Sequence, residues 1–216
     1  MKIVFISDTH IKHRDLDFSM SKYNDVETIV HSGDFSHNQK QFDDFINWFS
    51  ELPFKNKILI PGNHEILVQE NEEDFFRVCK EFGIIGLIDS GVVIDDIKFY
   101  GSPWTPLFFN WAYMKEDYIL DQYWDKIPND VNVLITHGPA YGILDGVIHY
   151  GIGENVGSES LADRIDHLKK LKIHTFGHIH EARGMYKENK ILRINASSVN
   201  QNYEILPPFI VDYYNF

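Results

Sequence analysis

Eight residues of metal-ligand or acid–base type fall at five points of this 216-residue chain: Asp8 and His10, Asp34, Asn63 with His64, His137, and His178 with His180. A short apolar run ends immediately before each point. Asp, Asn and His together offer a mixed oxygen and nitrogen donor set, which suits Mn, Fe or Zn better than Ca. The set contains no thiolate, so a closed structural zinc site is not expected. Asp8-Thr9-His10 and His178-Ile179-His180 place donors at i and i+2, which on extended backbone puts both on one face. Gly33, Gly62, Gly138 and Gly177 flank four of the five points, where tight turns and close backbone approach are needed.

The elements that must carry these residues alternate between strand and helix. Apolar runs at 2–7, 27–31, 57–60, 132–136 and 173–176 read as strands, each ending at one of the five points. In open α/β sheets the loops beyond the carboxyl ends of several strands converge, so five such ends form one crevice. Phe42, Phe45, Ile46 and Phe49 give a helical stripe over 38–52, and Pro53 stops it. A second helix is expected over 72–82 before Gly83, and a third from a Ser158 cap through Leu171. Segments 91–95 and 97–101 read as a hairpin, 102–114 as an ordered aromatic loop, 141–157 as a Gly-rich functional or mobile loop, and 183–216 as two or three short strands. No linker or repeat divides the chain, so 1–216 is expected to form one α/β domain with mixed sheets.

These motifs resemble the signature of the calcineurin-like metallophosphoesterases: Asp-x-His, Gly-Asp, Gly-Asn-His-Glu, a lone His, and Gly-His-x-His. Here they are Asp8-Thr9-His10, Gly33-Asp34, Gly62-Asn63-His64-Glu65, His137 and Gly177-His178-Ile179-His180. Gly101-Ser102-Pro103-Trp104-Thr105-Pro106, and His137-Gly138-Pro139 through Gly142 to Asp145, are similar to a narrower branch that includes the vertebrate metallophosphoesterase-domain proteins. The resemblance implies a four-layer α/β/β/α sandwich around two divalent ions, Mn²⁺ first, Fe or Zn next. It implies that Asp8, His10, Asp34 and His180 hold one ion, and that Asp34 bridges to a second held by Asn63, His137 and His178. His64 would face substrate and act in catalysis.

Elementary chemistry fits that assignment. Two cations ~3.5–4 Å apart clamp the attacking and leaving sides of a phosphoryl centre. A water between them loses a proton near neutral pH and attacks phosphorus in line, and a protonated His64 donates to the leaving oxygen. Further residues are open to more than one reading. His13 and Arg14 contact substrate or sit on a solvated loop, and Arg183 is similar. Trp104 and Trp111 wall a pocket or fill the core. The stretch 145–157, with His149 and Tyr150, is a lid or a plain loop. His31 is structural, Cys79 is buried and inert, and His37, His167 and His174 have no assigned role.

Composition excludes several classes. One Cys rules out an internal disulfide framework, and no apolar run approaches the ~20 residues of a membrane helix. The chain starts on a strand rather than a signal peptide, so a cytoplasmic protein is expected. With 20 Lys+Arg against 32 Asp+Glu, the net charge of −12 argues against extended nucleic acid as partner. The expected activity is hydrolysis of small phosphodiesters, the diester preference resting on the branch resemblance. The alternatives are a phosphomonoesterase acting on proteins or nucleotides, a nuclease, and a non-catalytic scaffold that keeps the fold. Oligomeric state is silent in the sequence.

Overall fold

The computed structural model describes residues 1–149 and 152–216. The chain opens with β1 (Lys2–Ile6), β2 (Thr28–His31), α1 (Gln39–Glu51), β3 (Asn56–Leu59), α2 (Ile66–Glu70), α3 (Glu72–Glu81) and β4 (Ile85–Gly86). The hairpin β5 (Ser90–Ile94) and β6 (Ile97–Ser102) follows, then β7 (Thr105–Pro106), β8 (Met114–Lys115), α4 (Asp117–Trp124) and β9 (Val133–Thr136). The last third holds β10 (Gly146–His149), β11 (Ile152–Asn155), α5 (Glu159–Asp166), β12 (Ile173–Phe176), β13 (Gly184–Glu188), β14 (Ile191–Asn195) and β15 (Phe209–Asp212).

Two mixed sheets form the frame. One runs β15-β1-β2-β3-β4, parallel except where β15 pairs antiparallel with β1. The other runs β13-β14-β12-β9-β6-β5, with parallel pairing in its centre and antiparallel pairs at both edges. Strand alternation sorts the apolar residues into two sets. Ile3, Phe5, Val30 and Ile58 of the first sheet cluster with Phe99, Val133, Ile135 and Ile173 of the second. On the opposite face of the first sheet, Val4, Ile6, Ile29 and Leu59 meet Phe42, Phe45 and Phe49 of α1. Leu134 of the second sheet belongs to that same cluster with Leu120 and Trp124 of α4 and Leu161 and Ile165 of α5. Asn38 caps α1 through Gln41 N–H at 3.1 Å, and Ser158 caps α5 through Leu161 N–H at 3.0 Å.

Several elements differ from expectation. α5 ends at Asp166, and the expected remainder to Leu171 is a turn whose Leu168 and Leu171 are still buried. α4, which the sequence pattern did not reveal, is fixed by α5: Asp117 Oδ1 accepts from Ser158 Oγ at 2.6 Å, and Trp124 Nε1 donates to Ser160 Oγ at 3.0 Å. The Gly-rich stretch holds the antiparallel pair β10–β11. Tyr150 and Gly151, within the stretch read as a lid or a plain loop, lie outside the described residues. Among the described residues, no helix is long and apolar enough to cross a membrane.

Candidate metal centre

The carboxyl ends of β1, β2, β3, β9 and β12 deliver the predicted residues to one place. Backbone contacts tie these ends together. Asp8 N–H donates to Gly33 O at 2.8 Å, His10 N–H to Asp34 O at 3.1 Å, and Gly177 N–H to His137 O at 2.9 Å. The loops are strained: Asp8, His10, Asp34 and His178 have φ of +50°, +40°, +60° and +68°. Non-glycine residues hold such angles only when surrounding contacts over-determine them, and they concentrate at functional sites. These angles also correct the i, i+2 argument. Neither tripeptide is extended, and His178 and His180 turn to different donor groups.

One group joins Asp8, His10 and His180, and a second joins Asp34, His137 and His178, each with ligand atoms within 4.8 Å of one another. In the first, His10 Nε2 and His180 Nε2 face each other at 3.2 Å, and His180 Nε2 lies 3.3 Å from Asp8 Oδ1. In the second, His137 Nε2 lies 3.4 Å from Asp34 Oδ2 and 2.8 Å from Asn63 Oδ1. Asp34 Oδ2 is also 3.9 Å from His10 Nε2, so this one oxygen stands between the groups. Donors bound at ~2.0–2.2 Å to a shared ion lie roughly 3.3 Å apart. The donor set therefore fits divalent ions in both groups. His137 Nδ1 donates to Ser32 O at 2.9 Å, which leaves its Nε2 as the ligand nitrogen.

Burial lowers His10 and His178, while at His137 and His180 the neighbouring carboxylates outweigh burial, so a bound ion would displace their protons. Burial pushes His10 down to about 4 against the pull of Asp34 and Asp8. His178 also falls to about 4 through burial, with the His137 charge adding to it. Both rings are thus neutral, as ligands must be. Burial works to raise Asp8, but the His180 hydrogen bond and the His180 and His137 charges bring it to about 2. Burial works to lower His137, yet the Asp34 carboxylate beside it raises it to about 9.

Two glycines are sterically required here. A Cβ at Gly177 would overlap the Asp8 carboxylate and the Ser7 hydroxyl, and one at Gly62 would overlap the Asp34 carboxylate.

Sequence reasoning gave Glu65 no role, although it stands beside His64 in the motif. Its buried carboxylate accepts from the N–H groups of Gly62 at 2.6 Å, Asp34 at 3.0 Å, Phe35 at 2.9 Å and Ser36 at 2.8 Å. Glu65 therefore pins the β2 loop to the β3 loop and holds Asp34 in place. Burial, followed by the nearby Asp34 charge, raises it to about 7.

His37 was likewise left without a role. Its Nδ1 lies 2.9 Å from His64 Nδ1, and its ring stacks at 5.7 Å on His10. Tyr203, on the loop after β14, stands edge-on to His10 and His180 at 5.2 and 5.6 Å. No local pattern marks Tyr203.

His13 and Arg14 are not brought to the cleft. His13 is buried against Phe45 and Trp48 with its Nε2 at 3.1 Å from Asp44 Oδ2. Arg14 Nη2 pairs with Asp44 Oδ1 at 2.7 Å. The 3-10 turn that carries both packs on α1, so an acid on α1 captures them. Arg183 is engaged with Ser197 O at 2.8 Å and lies over the Phe209 ring. Trp104 is buried, with Nε1 donating to Asp89 Oδ2 at 3.1 Å, whereas Trp111 is half-exposed against His64 at 4.5 Å between ring centroids. His31 is structural, as expected: its Nδ1 accepts from Gly33 N–H at 3.2 Å and its Nε2 meets Thr9 Oγ1 at 3.1 Å.

Comparison with known proteins gives the family and the fold. The family model for calcineurin-like phosphoesterases matches residues 1–182. The human metallophosphoesterase domain-containing protein 1 is 31% identical over 98% of this chain and 70% of its own length. The UPF0046 protein K07C11.7 of Caenorhabditis elegans is 32% identical over 99% of this chain and 75% of its own. Among solved structures, one aligns with a TM-score of 0.69 at 14% identity, covering 90% of this chain and 89% of the other. A structure described as a novel archaeal phosphodiesterase aligns with a TM-score of 0.52 at 21% identity, covering 98% of this chain and 93% of the other. The chain belongs to the calcineurin-like metallophosphoesterase family, whose members are generally hydrolases of phosphoester bonds.

Proposed function

We propose that the protein is a two-metal phosphodiesterase of small substrates. The observation that carries this reading is the position of Asp34 Oδ2 between the two donor groups, 3.4 Å from His137 Nε2 and 3.9 Å from His10 Nε2. Asp8, His10, Asp34 and His180 would hold one ion, and Asp34, Asn63, His137 and His178 the other. Divalent ions held by these residues would supply positive charge to the phosphoryl oxygens and lower the pKa of a water. Mn²⁺ is the first choice, with Fe and Zn the next.

The chain's own groups do the rest. Asp34 accepts from His64 N–H at 3.0 Å, which fixes the His64 backbone. The His64 ring then faces the cleft, with Nε2 3.7 Å from Asp34 Oδ2, placed to donate to a phosphoryl or leaving oxygen. His37 holds the ring from behind through Nδ1. Phe108, Phe109 and Trp111 wall one side of the cleft, whose volume is about 340 Å³.

The lining also supports a diester over a monoester. Among the described residues, no Lys or Arg lines the cleft. A monoester dianion brings more charge than a diester monoanion, and Arg forks are the usual device for such groups. The aromatic wall instead suits a substrate with a second organic arm. The net charge of −12 disfavours long polyanions.

Metal analysis joined to paired kinetics on p-nitrophenyl phosphate and bis-p-nitrophenyl phosphate, with Mn²⁺, Zn²⁺ or Fe²⁺ added back, tests this reading. Two ions per chain and a higher kcat/KM on the diester are expected. A strong monoester preference would make the protein a phosphomonoesterase. Bound metal without turnover on any phosphoester would make it a scaffold.

A further inference from the structure

A second cavity, of about 280 Å³, adjoins the metal cleft and shares Phe108 and His178 with it. One wall is the Thr105–Phe108 segment, held where Thr105 N–H donates to Tyr113 O at 3.0 Å. The facing wall is Val147 of β10 and Val156 just after β11. That wall is built in. The buried Asp145 accepts through Oδ2 from Gly142 N–H at 2.9 Å and Gly157 N–H at 3.0 Å, and its carbonyl accepts from Val156 N–H at 3.2 Å. The segment is thus closed at its base before any ligand arrives.

The chemistry of the walls selects the occupant. Pro106, Leu107, Phe108, Val147, Val156 and Ile179 carry no polar side-chain atom. The two polar members are Thr105 and His178. Thr105 is buried against Gly138, and His178 faces His137 at 5.0 Å between ring centroids. Among the described residues, no other side chain of this cavity can read the edge of a base or a sugar hydroxyl. Yet Leu107 and Phe108 stand about half-exposed, so apolar surface beside a phosphoryl site lies uncovered.

We propose that this cavity is the subsite for an aliphatic arm of the phosphodiester, the phosphoryl group lying at Asp34 and the arm passing Phe108 and His178. The proposal rests on the phosphodiesterase reading and narrows its substrate class to diesters with an alkyl or acyl chain.

Two ladders test it, both with monomeric ligands below micelle-forming concentrations. The first measures turnover of 2-hydroxyethyl n-alkyl phosphates from methyl to octyl by ³¹P NMR. KM is expected to fall by up to about fourfold per methylene and then level off as the cavity fills, the gain of burying a CH₂. kcat should change little, because the arm is remote from the reacting bond. The second measures binding of n-alkylphosphonates by calorimetry, with affinity climbing the same ladder and the heat-capacity change growing more negative. Val156→Asp should flatten both ladders. Should that variant not fold, Val156→Ala should reduce the octyl-over-methyl advantage several-fold.

A flat ladder in the wild type, a ladder unchanged in the variants, or tighter binding of a nucleoside phosphonate than of octylphosphonate overturns the assignment. The two readings fail separately. No turnover with an intact binding ladder defeats the phosphodiesterase reading alone. Turnover with flat ladders defeats the subsite alone.

Discussion

His37 Nδ1 and His64 Nδ1 meet at 2.9 Å, with their rings edge to face. One nitrogen must carry the proton and the other accept it. The contact fixes the His64 ring and leaves its Nε2 directed at Asp34 Oδ2, 3.7 Å away. Loss of such a partner costs ~10–100-fold in comparable sites. His37→Ala should therefore lower kcat by that order while KM and metal content stay near wild type, and His37→Gln should restore part of it. Steady-state kinetics beside elemental analysis decide the point, and an unchanged kcat removes the positioning role.

His64 itself should behave differently from the ligands. His64→Ala is expected to keep its metal and lose kcat by about 10²–10⁴-fold, the range for a missing general acid. Retention of full turnover would exclude His64 from proton transfer.

Asp34 should be the residue on which metal content depends, because its Oδ2 serves both donor groups. Asp34→Ala should lose bound ions on dialysis while keeping its circular dichroism. Two ions per chain retained in that variant would contradict the bridging position.

Glu65 should be a matter of stability first. Glu65→Ala leaves the N–H groups of Gly62, Asp34, Phe35 and Ser36 without their acceptor. Unsatisfied buried donors cost ~1–3 kcal/mol each, so a loss of at least about 4 kcal/mol is expected in urea denaturation. Glu65→Gln should cost less, since its amide oxygen can still accept. A midpoint unchanged by Glu65→Ala would show that water or backbone shift satisfies these groups.

Acid should destabilise the fold through His31. Burial holds this ring down to about 3, against 6.5 for a free imidazole. Below pH 6.5 the unfolded chain therefore binds a proton that the folded chain refuses. The sign follows: stability falls as pH falls from 6.5 towards 3, by at most about 1.4 kcal/mol per pH unit from this group. Denaturation midpoints in that window should be less pH-dependent in His31→Gln. Parallel pH profiles for the two proteins would place the acid sensitivity elsewhere.

Local signals made much of the architecture legible. Phe42, Phe45, Ile46 and Phe49 are buried on α1 as their spacing requires, and the Ser90–Ile94 and Ile97–Ser102 hairpin lies within a residue of its expected place. α4 escaped notice because only Leu120 and Trp124 are buried on it, too few for a stripe. Its stability comes from α5, across about 40 residues of chain. The β10–β11 pair was hidden by glycine, which weakens any strand signal without forbidding a strand.

The sequence by itself determined the donor set and its order along the chain. Each of Asp8, His10, Asp34, Asn63, His64, His137, His178 and His180 follows a short apolar strand, and parallel pairing brings such ends together. The motif resemblance implies how the donors divide, and tertiary structure supplies the physical means. Left-handed turns at Asp8, His10 and His178 send His178 and His180 to separate groups, which no extended-chain argument allows. Tertiary structure alone decided that Glu65 clamps the Asp34 loop, that His37 backs His64, and that Asp44 draws His13 and Arg14 away. Each of these contacts joins residues about 30 positions apart, so its geometry exists only once the sheet has set the distance between strand ends.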